Sequence, residues 1–212
     1  MSIQDELYTS TLNQNTNYNY KNKKNDNTVD DPYKDYFREF DYGIDLTDNI
    51  IVICDEIQMG LLSEFIAKVR LLKKVNNELT SINILLNSGG GDVVETLAII
   101  DYIRGNKDIK FNIICRGVAM SAAALLLAAG TGVRAASKHS KIMVHQLSTF
   151  AAGKLSDVKS NAKFADKLEE ECNTMMAEFT NKPKDWWESN QQSDLFLTAE
   201  EALNLGIIDK II

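Results

Sequence analysis

Short runs of β-branched and aliphatic residues alternate along most of this chain with segments whose apolar residues recur every three or four positions. Ile50-Ile-Val-Ile-Cys54, Ile82 to Leu86 and Ile109 to Cys115 each have strand length and end on polar or turn-forming residues, the pattern of buried strands. Between the first two, Leu62, Phe65, Ile66, Val69 and Leu72 keep helical spacing within Met59 to Val75. Between the second and third, Val93, Leu97, Ile100 and Ile103 do the same from Asp92 to about Arg104. Strand, amphipathic helix, strand is the βαβ unit, and its repetition predicts an α/β fold with a mostly parallel sheet and right-handed crossovers. The third strand reads as closed by Arg116-Gly117. Ser121 to Ala129 then reads as a buried helix of small residues, and Val133 to Ala136 and Lys141 to Val144 as short strands. A long polar helix is expected from about Ser156 to Thr180, halted near Pro183. Thr198 with Glu201 three residues on is a helix-capping pair, and Gly206 ends that helix before Ile207 to Ile212.

The first 31 residues break the rhythm. They hold seven Asn and eight apolar residues with no sustained period, too little apolar surface to offset the entropy of ordering. A disordered arm is expected over residues 1–31 and one folded domain over residues 32–212. Composition removes several functions. Lys plus Arg is 23 against 30 for Asp plus Glu, a net charge of −7, and a phosphate-binding surface needs clustered cations; nucleic acid is not an expected partner. The longest apolar stretch, Ala122 to Ala129, is eight residues against the ~18 of a membrane span, and the acidic, polar start does not read as a signal peptide. A cytoplasmic protein with no membrane partner is expected. Cys54, Cys115 and Cys172 are odd in number and far apart, two of them in strand-like runs, so buried free thiols are expected rather than a disulfide framework or a metal site.

Three segments carry candidate chemistry. The chain has two histidines. His139 lies in the polar turn Ser137-Lys-His-Ser-Lys141 and reads as a surface residue. His145 ends the run Ile142-Met-Val-His, where a strand end places it for proton transfer near neutral pH; taken alone, such a residue is more often a hydrogen-bonded structural histidine. Ser121, in Gly117-Val-Ala-Met-Ser121-Ala-Ala-Ala124, falls where a strand enters a helix. Free N–H groups there stabilise negative charge near the hydroxyl, although Ser is also a common N-cap. Asn87-Ser-Gly-Gly-Gly91-Asp92 comes directly after a strand. Its glycines allow backbone N–H groups to face outward, as an oxyanion hole requires, or simply form a tight turn; the P-loop and dinucleotide fingerprints are absent.

In this order and spacing the segments resemble the proteolytic-subunit (ClpP) family of the Clp protease. The resemblance runs through Asn87-Ser-Gly-Gly-Gly91, Gly117-Val-Ala-Met-Ser121, Ile142-Met-Val-His145-Gln146 and Ser193-Asp194-Leu-Phe-Leu-Thr-Ala199 to the closing Glu200-Glu-Ala-Leu-Asn-Leu-Gly-Ile-Ile-Asp209, and covers roughly Tyr36 to Ile212. It implies a crotonase-like spiral of βαβ units with a projecting handle helix, here the long polar segment. It implies a serine endopeptidase in which Ser121 is the nucleophile, His145 the general base and then acid, Asp194 the group orienting the imidazole, and the N–H groups of Gly91 and Ala122 the oxyanion hole, with no metal or other cofactor. It further implies a homo-oligomer of seven-membered rings, single or paired, enclosing the sites, an AAA+ unfoldase as partner, and unfolded polypeptide as substrate. The handle seam of Phe164, Leu168, Cys172, Met175 and Met176 would then lie between subunits. Three positions depart from the family pattern: Gly89 replaces Pro in the glycine turn, Leu147-Ser-Thr-Phe150 replaces Pro-x-Gly-Gly after His145-Gln146, and Ser193 stands where many members have an Arg in ring–ring contacts. A Clp-like phage head-maturation protease and a catalytically silent ring subunit are the alternative readings; a crotonase-fold acyl-CoA enzyme would make no use of Ser, His and Asp at these positions.

Overall fold

The computed structural model of the chain describes residues 41–212; the arm expected over residues 1–31 lies outside them. Strands β1 (Ile44–Asp45), β2 (Ile50–Ile53), β3 (Ser81–Ser88), β4 (Lys110–Met120), β5 (Arg134–Ala136), β6 (Lys141–Val144), β7 (Leu195–Thr198) and β8 (Lys210–Ile211) form one mixed sheet. Helices α1 (Leu61–Val75) and α2 (Val93–Gly105) are the crossovers between β2, β3 and β4, and those three strands are parallel. The βαβ rhythm of the sequence is therefore the rhythm of the fold. The core forms where Phe65, Val69 and Leu72 of α1 and Ile99, Ile100 and Ile103 of α2 meet Ile82, Ile84, Leu86, Phe111 and Ile113 of the sheet, all essentially without exposed surface. Fully burying one such side chain is worth ~1.5–3 kcal/mol, which is why these positions carry the periodicity.

The main departure from expectation is β4. Arg116-Gly117 does not close it; the strand runs on to Met120. Gly117, at φ 117°, bends the chain there, and the pairing with β3 slips between Leu86 and Ser88. Asn87 fills the bend: its Oδ1 accepts from Val118 N–H at 3.0 Å, and any Cβ on Gly117 would meet that oxygen at 2.3 Å. A glycine in a strand marks a bulge as well as an end. The bend lets β4 change partners. Its first half pairs with β5, and Val118–Met120 pair with β6, so the sheet branches at this point.

Helix α3 (Ala122–Ala128) is wholly buried, as its small residues predict. The long helix α4 (Leu155–Phe179) spans 25 residues. Most of its first two turns and much of its middle are exposed, while Asn173 and Met176 pack against the domain. The expected intersubunit seam is therefore divided: Met176 is covered by the chain's own core and Cys172 and Met175 pack against it, whereas Phe164 remains 56% exposed. Three elements were not read from the sequence, the first being the two-residue strand β1. Helix α5 (Lys184–Asn190) starts at Pro183, which caps a new helix as well as ending the approach from the old one, and buries Trp187. Strand β7 pairs antiparallel with β6. The capping box of Thr198 and Glu201 opens α6 (Ala199–Leu205), and Gly206 closes it in the left-handed region. Cys115 is buried and Cys172 half-buried, but Cys54 is exposed, contrary to expectation, because it lies one residue past the end of β2. Among the described residues no helix is long and apolar enough to cross a membrane.

The C-terminal elements are tied down by Arg134. Its Nη1 donates to the carbonyls of Phe179 at 2.6 Å and Gly206 at 2.8 Å, where α4 and α6 end, and its Nε and Nη2 engage Asp209. Burial alone would raise the Asp209 pKa, but the Arg134 bonds outweigh it and hold the carboxyl below its usual range. A depressed folded-state pKa contributes stability that is present above the unfolded value, about 3.9, and is lost as pH falls through the folded one. Asp209→Asn is therefore expected to lower the urea midpoint at pH 7, with the gap from wild type closing below about pH 4. A gap that stays constant from pH 7 to pH 3 would contradict this role.

Candidate active site

Three adjacent parallel strands end at one level. Ser88 of β3 lies beside Ala119 of β4, and Ala119 beside Ile142 of β6. The segments leaving these strands are thus delivered to the same edge of the sheet, the carboxyl end where open α/β sheets bind ligands. Strand β3 leads into Gly89-Gly-Gly91, β4 into Ser121 and β6 into His145.

Ser121 has φ 53° and ψ −126°, a conformation sparsely populated by non-glycine residues and costing on the order of 1–3 kcal/mol. The strain is imposed from both sides. Its N–H donates to Met143 O at 2.8 Å, completing the β4–β6 ladder, and its carbonyl already accepts from Ala124 at 2.9 Å as α3 begins. The chain must change from strand to helix within this one residue, which turns the side chain out of the core. Ser121 stands at the N-cap position of α3, but its side chain makes no capping bond. Its Oγ lies instead 2.8 Å from His145 Nε2.

His145 is half-buried one residue past the end of β6, and the residue just before β7 faces it. Val144 pairs with Leu195, so the next antiparallel position sets His145 opposite Asp194. The His145 Nδ1 to Asp194 Oδ1 distance is 3.8 Å, and the Asp194 side chain is 57% exposed. This is longer than a hydrogen bond and longer than the ~3 Å expected of a committed triad. The structure thus joins Ser121 and His145 and leaves Asp194 on the Nδ1 side of the imidazole, beyond hydrogen-bond reach. His139 is in an exposed turn, as its sequence context indicates.

The glycine loop packs against Ser121. Gly90 and Gly91 have φ 98° and 140°, and a Cβ on Gly90 would meet Met120 O at 2.6 Å and Ser121 Cβ at 2.8 Å. Gly91 bridges in parallel to Ile57, with Ile57 N–H donating to Gly90 O at 2.8 Å and Asp92 N–H donating to Ile57 O at 2.7 Å. In such a bridge the flanking residues bond the partner, and the N–H of Gly91 itself faces the other way. Ala122 is the first residue of α3, so its N–H is among those a helix start leaves without an internal acceptor. Two donors of this kind beside a hydroxyl can receive negative charge on an oxygen bonded to it.

A small apolar pocket of about 40 Å³ opens beside Ser121 and His145, walled by Val93, Leu125, Val144, Leu147 and Met176. Cys172 also reaches it. Burial, with Glu169 and Glu171 adding to it, pushes that thiol up to about 11, so it remains protonated near neutral pH and Ser121 has no thiolate rival there. The sequence reading missed Glu169 and Gln191, which line the same pocket. Glu169 sits in the charged run Asp166-Lys-Leu-Glu-Glu-Glu171, which reads as a solvated face. The available signal was spacing: Glu169, Cys172, Asn173 and Met176 fall at i, i+3, i+4 and i+7, one face of the helix.

Known proteins resemble this chain over most of its length. A family model described as Clp protease matches residues 38–212. The chain is 37% identical over 169 residues to an ATP-dependent Clp protease proteolytic subunit 2 of Prochlorococcus marinus strain MIT 9312, covering 78% of this chain and 81% of that protein. It is 34% identical over 188 residues to the protein of the same description from strain NATL2A, covering 85% and 93%. With its mixed sheet, its βαβ order and a match spanning every described element, the chain belongs to the Clp protease family of serine peptidases and has that family's crotonase-like α/β fold.

Proposed function

We propose that the chain hydrolyses peptide bonds of unfolded polypeptides through Ser121, His145 and Asp194, inside a chamber built from copies of itself. The observation that carries the reading is the 2.8 Å contact between Ser121 Oγ and His145 Nε2, made by a serine held at positive φ. A neutral hydroxyl is a weak nucleophile, so His145 takes its proton as Oγ attacks the carbonyl carbon. The carbonyl oxygen becomes an oxyanion and is received by the N–H groups of Gly91 and Ala122, positioned before the reaction starts. His145 then gives the proton to the leaving amine, and water enters by the same base to release the acyl group from Ser121. Asp194 stabilises the imidazolium, closing its 3.8 Å gap when substrate or assembly orders the strand end. The small apolar pocket beside Ser121 receives one side chain of the substrate.

Apolar exposure supports assembly. Phe150, shortly before α4, is 90% exposed, and Leu155 and Phe164 within it are 70% and 56% exposed; large apolar side chains left to water here support an interaction surface. A cyclic ring, heptameric as the family resemblance implies and single or paired, would cover it, and an AAA+ unfoldase would supply unfolded chain to the enclosed sites. Light scattering at micromolar concentration is expected to give a mass several times the 23.7 kDa of one chain; a stable monomer would rule out the chamber. Catalysis is tested by a fluorophosphonate probe with the adduct mapped by mass spectrometry. Modification is expected on Ser121, and an assembled protein that takes no label would favour a silent ring subunit.

A further inference from the structure

We infer that Glu169 is a positioning residue for His145, acting through the main chain of Gln146 and Leu147. The inference rests on the peptidase reading above. β6 ends at Val144, so the chain carrying His145 leaves the ladder, and its next main-chain N–H groups must find other acceptors. The helices across the pocket supply them. Gln146 N–H donates to Gln191 O at 2.7 Å, and Leu147 N–H donates to Glu169 Oε2 at 2.6 Å. The second oxygen of Glu169 accepts from the Asn173 and Gln191 side-chain amides at 3.4 and 3.3 Å, and the Gln191 amide also donates to Asn173 Oδ1.

This clamp is built rather than incidental. Asn173 and Gln191 are 2% and 4% exposed, and of the three consecutive glutamates Glu169 is the one turned inward. Its carboxylate meets neutral donors only, and one of its bonds ties down a backbone N–H at the rim of an apolar pocket, where a lost partner is costly. A charged acceptor makes that bond short and strong. The clamp matters because Asp194 does not hold the imidazole at 3.8 Å. Ring direction is set by the Ser121 hydroxyl on one side and by the anchored backbone immediately after His145 on the other. Releasing Leu147 removes one of the two anchors after the base and leaves the Gln146–Gln191 bond alone to hold that segment.

The test compares E169M with E169Q. Methionine keeps the length of the side chain and suits the apolar wall but has no carboxylate; glutamine keeps an oxygen able to accept from Leu147. On assembled protein of verified mass, E169M is expected to slow fluorophosphonate labelling of Ser121 and lower kcat by about 10- to 100-fold, because small misplacements of a reacting group have effects of that order. The effect should fall on kcat more than on KM, and E169Q, which keeps the Leu147 acceptor but turns an amide donor toward Asn173 and Gln191, should lose at least about threefold less than E169M. Equal rates for the two variants would overturn the inference. Hydrogen exchange in the wild-type protein gives a second measure that needs no variant to fold: the Leu147 amide should exchange slowly, and exchange at solvent rates would also overturn it. The peptidase reading fails separately, through absence of wild-type labelling, which leaves the exchange result to report on the clamp itself.

Discussion

Ser121→Ala is expected to lower peptide hydrolysis by about 10³-fold or more while leaving fold and assembly unchanged. The substitution removes one oxygen and keeps the Cβ, so it neither relieves nor adds to the strain at φ 53°. Among the described residues the only side-chain bond lost is the one to His145, whose ring is 22% exposed and can take a water in its place. The N–H donors of the glycine loop and of α3 remain, and what activity survives would come from them and from substrate binding. The measurement is the initial rate on a fluorogenic peptide, with mass by light scattering and a melting curve as controls. Turnover above about a tenth of wild type would remove Ser121 from the mechanism. Ser121→Gly refines the point: glycine adopts positive φ freely, so this variant should be equally inactive yet somewhat more stable to heat, as expected where strain is held at a functional residue.

Gly91→Ala is expected to lower kcat by about 10²- to 10³-fold, the effect of losing one oxyanion donor. Its added methyl would meet Ile57 O at 2.2 Å and Glu56 Cγ at 3.0 Å, at a φ of 140° that side chains rarely adopt. Both atoms belong to the segment that bridges the loop, and Ile57 itself is buried at 1% exposure, so the loop must move rather than its neighbour. The Ile57 bridge would open and the Gly91 N–H would swing from the position where the oxyanion forms. Gly89→Ala is the control. Gly89 has open space around its Cβ position and no positive φ, so its substitution should leave kcat within about threefold. If Gly91→Ala retained wild-type kcat, the outward N–H of Gly91 would have no part in the reaction.

Much of the route to the site was legible in the sequence because its signals are local. Phe65, Val69 and Leu72 show a helix face within three turns, and Thr198 with Glu201 shows a helix start within four residues; both stand in the fold where the sequence puts them. Ser121 at a strand-to-helix junction and His145 at a strand end are also local facts, and each taken alone favoured a structural role until the family resemblance joined them. Gly117 was legible as a glycine but not as a bend. Its meaning depends on Asn87, thirty positions earlier, filling the space beside it. Pro183 stops one helix as expected and also begins the next, which its residue type alone does not reveal.

What the sequence determined alone, then, is most of the strands and helices, and which side chains stand where those elements change. That information lies in the period of burial, which each segment states for itself. The tertiary structure decided the rest. Register aligned the ends of β3, β4 and β6 and so brought Gly91, Ser121 and His145 to one edge, and the antiparallel β7 set Asp194 opposite His145 at 3.8 Å. Packing turned Glu169 inward from a run of charge to hold the chain behind the histidine. Distances of this kind are fixed by hydrogen bonds and close packing between segments tens of residues apart, and no local pattern in the chain contains them.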